Sequence, residues 1–456
     1  LALPLLIVQT LCAAAPELPR AMTLDQAVGF ALEHHPRLFA SVAAEKSAEA
    51  RIDLARVERL PRGGVTAQLN RSTGNTAPGA FFATPGVPPI AGAPRGRTFD
   101  SGAWQTGLGA WASWDALALW RQAAAIDQAL AGRAQAGAAR ELARLEVGYA
   151  AADAFVLLLE AQEAVHAAEA TIARAKTVEA VVKTLVEQSL RPGADAARVD
   201  AELAAAHTQG ARAAQAVAVR RQLLAEALGD ASGSVEATGG ALLSPLGFEP
   251  RSPVADAPAP AAPVHPRVAV EVAALARAEA ARATVSAQYL PRVELVASLW
   301  ARGSGYFGSA AEGLAPDIPN WAAGAVVSWD LLELPLVKAR AAAADAEREG
   351  ASSRRDEAAL AVASQLAQAS ALLEGARVVA EQAEVALKSA RAAEAQTLAR
   401  FKTGLSSVVE VADAQRLLAQ AELDEAVARL EVRRAQLLLA RAGGDLAPFL
   451  AAARGG

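Results

Sequence analysis

At 456 residues the chain is long enough for two or three ordinary domains. Hydrophobic residues make up 53% of it but aromatic ones only 4%, an alanine-dominated mixture that favours long, closely packed helices, because Ala loses no side-chain entropy and adds little bulk. The formal net charge of −5 is spread over interleaved acids and bases, so no basic patch points to nucleic acid.

In chain order, residues 1–15 run apolar into Cys12-Ala13-Ala14-Ala15-Pro16 and read as a secretory h-region with a small-residue cleavage zone. Residues 1–21 are therefore set apart as signal peptide and N-terminal segment. Cys12 is the single cysteine, which suits a mature chain in an oxidising periplasm, and bulky Leu11 just before it argues against lipidation. Beyond this segment no apolar run reaches the ~18 residues that a transmembrane helix needs, so a membrane-spanning form would have to use strands.

The rest is one unit written twice. His35-Pro36-Arg37 recurs as His265-Pro266-Arg267, and Leu60-Pro61-Arg62 as Leu290-Pro291-Arg292, both 230 residues on. Trp114-Asp115 matches Trp329-Asp330, Ser189-Leu190 matches Gly404-Leu405, and Gly229-Asp230 matches Gly444-Asp445, all at a spacing of 215, so the first copy carries 15 extra residues (230 − 215) before its Trp-Asp pair. The repeats are bounded at 22–230 and 265–445, with a Gly-, Pro- and Ser-rich linker over 231–264 and a C-terminal tail over 446–456.

Each copy predicts helix, strand, loop, strand, very long helix, short break and return helix. Thr23-Leu24-Asp25-Gln26 has the form of a capping box and opens a helix to His34; Pro36 interrupts, and a second helix runs to about Arg59. Val65, Ala67 and Leu69 alternate with Thr66, Gln68 and Asn70, and Trp104, Leu108, Ala110, Ala112 and Trp114 line the partner strand. In the second copy Val293, Leu295, Ala297, Leu299 and Ala301 alternate with Glu294, Val296, Ser298, Trp300 and Arg302, and Trp321, Ala323, Ala325, Val327 and Trp329 form the return. Each run approaches the ~9–11 residues of a tilted transmembrane strand, with most tryptophans in or beside them as in an interfacial girdle; two soluble hairpins packed on helices are the alternative. Four strands cannot close a barrel, so membranous strands require an oligomer. Residues 115–188 and 331–402 contain a single proline, Pro335, and predict helices roughly 110 Å long of coiled-coil character. Return helices follow the breaks at Ser189–Gly193 and Gly404–Ser407 and run to about Leu228 and Ala442.

With Thr23-Leu24-Asp25-Gln26-Ala27-Val28, Ala31-Leu32, His35-Pro36, the two Trp-Asp pairs and the stretch from Arg400-Phe401-Lys402-Thr403-Gly404-Leu405 to Asp413-Ala414-Gln415, the chain resembles the TolC-like outer-membrane efflux family over nearly everything after Ala21. The resemblance implies a mainly α fold with a small β part. Long antiparallel coiled-coil helices would form an α-helical barrel across the periplasm, and four strands per chain would contribute to a transmembrane β-barrel of a homotrimer. It further implies a passive outer-membrane channel of a tripartite efflux or secretion system, working with a periplasmic adaptor (membrane fusion) protein and an inner-membrane pump, with outer-membrane lipid around its strands, and neither enzymatic chemistry nor a cofactor.

The breaks would form the periplasmic tip, with Ser189, Leu190, Gly404 and Leu405 at the turns where an adaptor docks. Gly404 reads as a left-handed helix end, and Ser407 with Glu410 as a capping box, which explains Glu410 without any function. Asp413, one turn on, is not needed as a cap. By resemblance, Glu410 and Asp413 match the family's acidic constriction and Asp195 an acidic gate position of the first copy. Phe401 and Ser406 stand where a Tyr and an Arg can latch a closed tunnel, so the closing contacts here must differ. The histidines His34, His35, His166, His207 and His265 show no metal-ligand spacing, Ser304 lacks the surroundings of a nucleophile, and no glycine-rich phosphate loop precedes a helix. A soluble periplasmic coiled-coil adaptor or scaffold is the rival reading, and whole-chain duplication with two equivalent hairpins is the feature that separates them. An enzyme using helix-borne carboxylates fails for want of a second cluster of catalytic residue types.

Overall fold

A computed structural model describes residues 21–73, 102–188, 192–230, 235–244, 264–305, 309, 311–403 and 405–454. In chain order these form β1 (Ala21–Met22), α1 (Leu24–His34), α2 (Pro36–Val57), β2 (Arg62–Thr73), β3 (Gly102–Asp115), α3 (Ala118–Glu187), α4 (Gly193–Leu228), β4 (Glu236–Ala237), α5 (Pro266–Ser286), β5 (Arg292–Ser304), β6 (Ile318–Ser328), α6 (Leu334–Lys402), α7 (Val408–Gly443) and α8 (Ala447–Arg454). The duplicated order and the 70- and 69-residue helices α3 and α6 agree with the sequence reading. The chain divides into two compact units, one comprising 1–43, 138–269 and 357–456, the other 44–137 and 270–356.

In the first unit, α1 starts as its sequence dictates. The Thr23 hydroxyl accepts from the Gln26 N–H and the Gln26 side chain accepts from the Thr23 N–H, so both legs of the capping box are made. Pro36 then opens α2 at the position where a missing N–H costs nothing. His35 caps that helix: its Nδ1 accepts from the Arg37 N–H at 3.1 Å. His265 does the same for Arg267 at 3.1 Å, which leaves its Nε2 to donate to the Arg441 carbonyl, also 3.1 Å away. Burial, and then the Arg37 charge, hold His35 below its ordinary pKa, which keeps the ring neutral and able to accept.

The His-Pro-Arg and Gly-Asp repeats turn out to be two halves of one joint. Gly229 and Gly444 end α4 and α7 with φ of 80° and 84°. A Cβ on Gly229 would lie 2.9 Å from Pro36 Cδ, and one on Gly444 2.9 Å from both His265 Cδ2 and Pro266 Cδ. Only glycine suits both the left-handed turn and the close approach.

Around these joints α1, the middle of α3 (Phe155, Leu158), the end of α4 (Leu224, Leu228), α7 (Leu430, Leu437) and α8 (Phe449) share one core. Residues from the linker and the tail also join this core. Val235 and Leu242, within the stretch read as linker, are buried in that core, and β4 pairs in parallel with β1. The tail is likewise not a bare extension, since 447–454 is helical and buries Phe449. Few apolar side chains in Gly-, Pro- and Ala-rich surroundings carry these contacts, so composition hid them. The long helices pair antiparallel on small residues. Ala380 and Ala383 of α6 meet Ala428 and Val432 of α7, and a Cβ on Gly210 of α4 would come within 3.0 Å of Ile172 of α3. Ion pairs Asp153–Arg434 (2.7 Å) and Arg174–Glu422 (2.7 Å) tie α3 to α7 across the two repeats.

In the second unit β2, β3, β5 and β6 form one antiparallel sheet in that order. Paired residues share a face, so the register sorts the side chains. One face carries Val65, Ala67, Leu69, Leu108, Ala110, Ala112, Leu295, Ala297, Leu299, Trp321, Ala323, Ala325 and Val327. The other carries Thr66, Gln68, Asn70, Ser113, Asp115, Glu294, Ser298, Arg302 and Asn320, with Val296 and Val326 among them. Trp104, Trp114 and Trp321 lie on the apolar face, as a girdle requires, whereas Trp111 and Trp300 stand on the polar one, where Gly64 and Gly109 opposite them leave room.

Candidate functional site: the hairpin tips and the exposed sheet face

The tips are built by α3 and α4 from the first copy and α6 and α7 from the second. Val178 and Val182 (α3), Val199 (α4), Phe401 (α6), and Val408 and Val411 (α7) form one buried cluster, so the ends of both hairpins are packed together. Phe401 is thus a core residue. Ser406 is also buried, and its hydroxyl donates to Glu410 Oε2 at 2.6 Å.

The candidate acids fare differently. Glu410 sits in the first turn of α7; Ser407 accepts from its N–H at 3.2 Å and donates to its Oε1 at 3.2 Å. The Ser406 hydroxyl first, then the Ser407 hydroxyl and N–H, lower its pKa and keep it ionised. That is the capping role read from S-x-x-E, with Ser406 as an additional partner. Asp413 lies one turn further on the same helix, exposed, with Arg416 Nη2 3.3 Å from its Oδ1. Asp195 occupies the first turn of α4, behind the N-cap Pro192. The two acids on α7 are thus brought together, and all three stand on the opening turns of return helices anchored in the same cluster. Leu405 is 71% exposed. Ser189, Leu190 and Gly404 lie outside the described residues, so the left-handed helix end expected at Gly404 does too.

Two neighbours were not picked out from the sequence. Lys183 bridges Glu179 (2.7 Å) and Asp200 (2.8 Å), linking α3 to α4 beside the tip. Above it, a cleft of about 480 Å³ between α3, α4 and α7 is lined by Arg174, Arg212, Gln415 and Arg416 among many alanines. A density of Ala at facing helix positions was the available signal, since small side chains leave such space. Among the described residues no group of three or more His, Cys, Asp or Glu is placed to hold a metal.

The sheet supplies the decisive chemistry. Its apolar face is broadly exposed: Val65 is 78%, Leu299 62%, Trp321 77% and Val327 68% accessible. A soluble hairpin packed on helices would bury that face, and continuous exposed apolar surface of this kind calls for lipid. Among the described residues no helix is long and apolar enough to cross a membrane. A four-stranded antiparallel sheet with an exposed apolar face, in one chain with long Ala-rich helical hairpins, fits a membrane channel protein.

The model of the Outer membrane efflux protein family matches residues 28–230 and 261–445, and the chain belongs to that family. It is an outer-membrane efflux channel. No curated protein sequence matches it. Among solved structures it is similar to the outer-membrane channel OprN, with 20% identity, 92% of this chain and 89% of that one covered, and a TM-score of 0.72. It also resembles the outer membrane protein VceC from Vibrio cholerae (16% identity, 92% and 96% covered, TM-score 0.73). The Campylobacter jejuni CmeC outer membrane channel is a third (14% identity, 92% and 85% covered, TM-score 0.74).

Proposed function

We propose that the chain works as a homotrimer, a passive conduit with no catalysis of its own. The carrying observation is a four-stranded sheet with an exposed apolar face and both edges, β2 and β6, unpaired among the described residues. In lipid each unpaired backbone group costs several kcal/mol, so the edges must be met by other copies. Three chains of four strands give twelve, a barrel of ordinary size. Each repeat, 22–230 and 265–445, then contributes two strands to the barrel and one helical hairpin to a periplasmic tunnel. Cargo enters at the tip from an inner-membrane pump through a periplasmic adaptor, for which exposed Leu405, with Leu190, Ser189 and Gly404, is the docking surface. Asp195, Glu410 and Asp413 form the acidic constriction there.

Light scattering of detergent-extracted protein tests the assembly. A trimer is expected; a folded monomer or dimer defeats twelve-strand closure and every role above that depends on a shared axis.

A further inference from the structure

The Leu-Pro-Arg motif recurs in both copies, and only part of it is accounted for by the fold. Pro61 and Pro291 follow helices and precede strands, a position proline suits, and leucine is apolar filler. Nothing in chain reversal requires Arg62 and Arg292. Their register places them on one face of the sheet. Arg62 opens β2 opposite Ser113, Asp115 follows two residues on and pairs with Glu294, and Arg292 precedes Glu294 by two and pairs with Ser328. Residues two apart on a strand, and residues opposite each other, share a face. Arg62, Asp115, Glu294 and Arg292 therefore share the polar face, within four residues of one another in register, at the end where the strands meet the helices.

Arg121, in the first turns of α3, reaches this face through an ion pair with Asp115. Burial first, and the Arg292 charge second, lower its pKa. With Asp115 committed to Arg121, no carboxylate lies within ion-pair distance of Arg62 or Arg292 among the described residues, and both side chains are exposed. Three guanidiniums against two carboxylates leave a net charge of +1 (3 − 2) among these five groups in each chain.

We propose that Arg62 and Arg292 form an anion-binding ring on the solute-facing side of the sheet, which takes up solutes bearing clustered phosphate or carboxylate groups. The inference rests on the trimeric reading, in which three copies bring six such guanidiniums (3 × 2) around one aqueous path. Guanidinium forks bind phosphate and carboxylate oxygens in a bidentate manner, and a narrow path walled by low-dielectric barrel focuses their field. The ring's sign is opposite to that of the acidic tip, so the two sites answer to different probes.

The test is single-channel recording on the full-length protein in planar bilayers, with inorganic tripolyphosphate as the probe. Wild-type channels should show concentration-dependent block that weakens as salt is raised from 0.1 to 1 M. Arg62→Gln with Arg292→Gln should raise the blocking concentration about tenfold or more by removing six charges per channel. Arg71→Gln, which removes an arginine of the opposite face held 5.7 Å from the Trp104 ring centre, should leave the block unchanged. Wild-type channels that ignore tripolyphosphate, or a double variant blocked as strongly as wild type, overturn the ring. Should the double variant fail to assemble, the wild-type titration and the charge-preserving Arg62→Lys with Arg292→Lys pair still decide, the latter keeping salt-sensitive block. Absence of any conductance together with absence of a trimer would instead indict the trimeric reading.

Discussion

Glycine at two positions does what no other residue could. Gly229 and Gly444 combine a left-handed backbone with contact against the His-Pro start of another helix, and the contact is with a proline ring that cannot swing away. Gly229→Ala should therefore lose about 1–3 kcal/mol. Gly443→Ala, one residue before the second joint and with open space around it, should be neutral or slightly stabilising because Ala is the better helix former. Thermal unfolding of the two variants followed by circular dichroism in detergent checks this, and equal melting points would remove the joint as the reason for the repeat. Histidine at 35 and 265 is bound to the same device, since only a neutral ring can accept the capping N–H.

At the scale of elements, the sheet is mostly polar on one side and apolar on the other, and the apolar side is broadly exposed. Leu299 and Ser298 are neighbours in β5 on opposite faces. Leu299→Lys should cost about 2–4 kcal/mol of stability in lipid, the range for a cation near the midplane of a membrane barrel, while Ser298→Lys should be tolerated. Urea titration of protein folded into vesicles, read by tryptophan fluorescence, distinguishes them; equal losses would mean that the polar face is not bathed in water. The helices follow a different logic. Alanine at facing positions lets α6 and α7 approach closely, and the Asp153–Arg434 and Arg174–Glu422 pairs then fix which turn of α3 meets which turn of α7.

For the whole molecule the consequential question is what the tip acids do in the proposed trimer. Glu410 and Asp413 would place six carboxylates (3 × 2) in a narrow ring, which favours cations and binds polyvalent ones. Each acid also has a partner within its own chain, Ser406 and Ser407 for Glu410 and Arg416 for Asp413, so a purely local role is the competing account. Glu410→Gln with Asp413→Asn keeps most of the hydrogen bonding and removes the charge. Reconstituted channels of this variant should lose cation selectivity and block by polyvalent cations from the tip side; wild-type behaviour would leave the carboxylates as helix caps.

Much of this was legible in the residues alone. Periodicity of 3.6 and of 2, two prolines, a capping box and an internal duplication located helices, strands and hairpins, because each of those signals acts over a few neighbouring residues. The sheet's two faces followed from alternation for the same reason. Other features depended on partners far along the chain. That Gly229 closes on Pro36, that Phe401 and Ser406 turn inward, that Val235, Leu242 and Phe449 enter the core, and that Arg62 and Arg292 share a sheet face with Asp115 are long-range pairings with no local periodicity. Tertiary packing decided them, since burial and charge neighbourhood are properties of the assembled chain and a single residue's type carries neither.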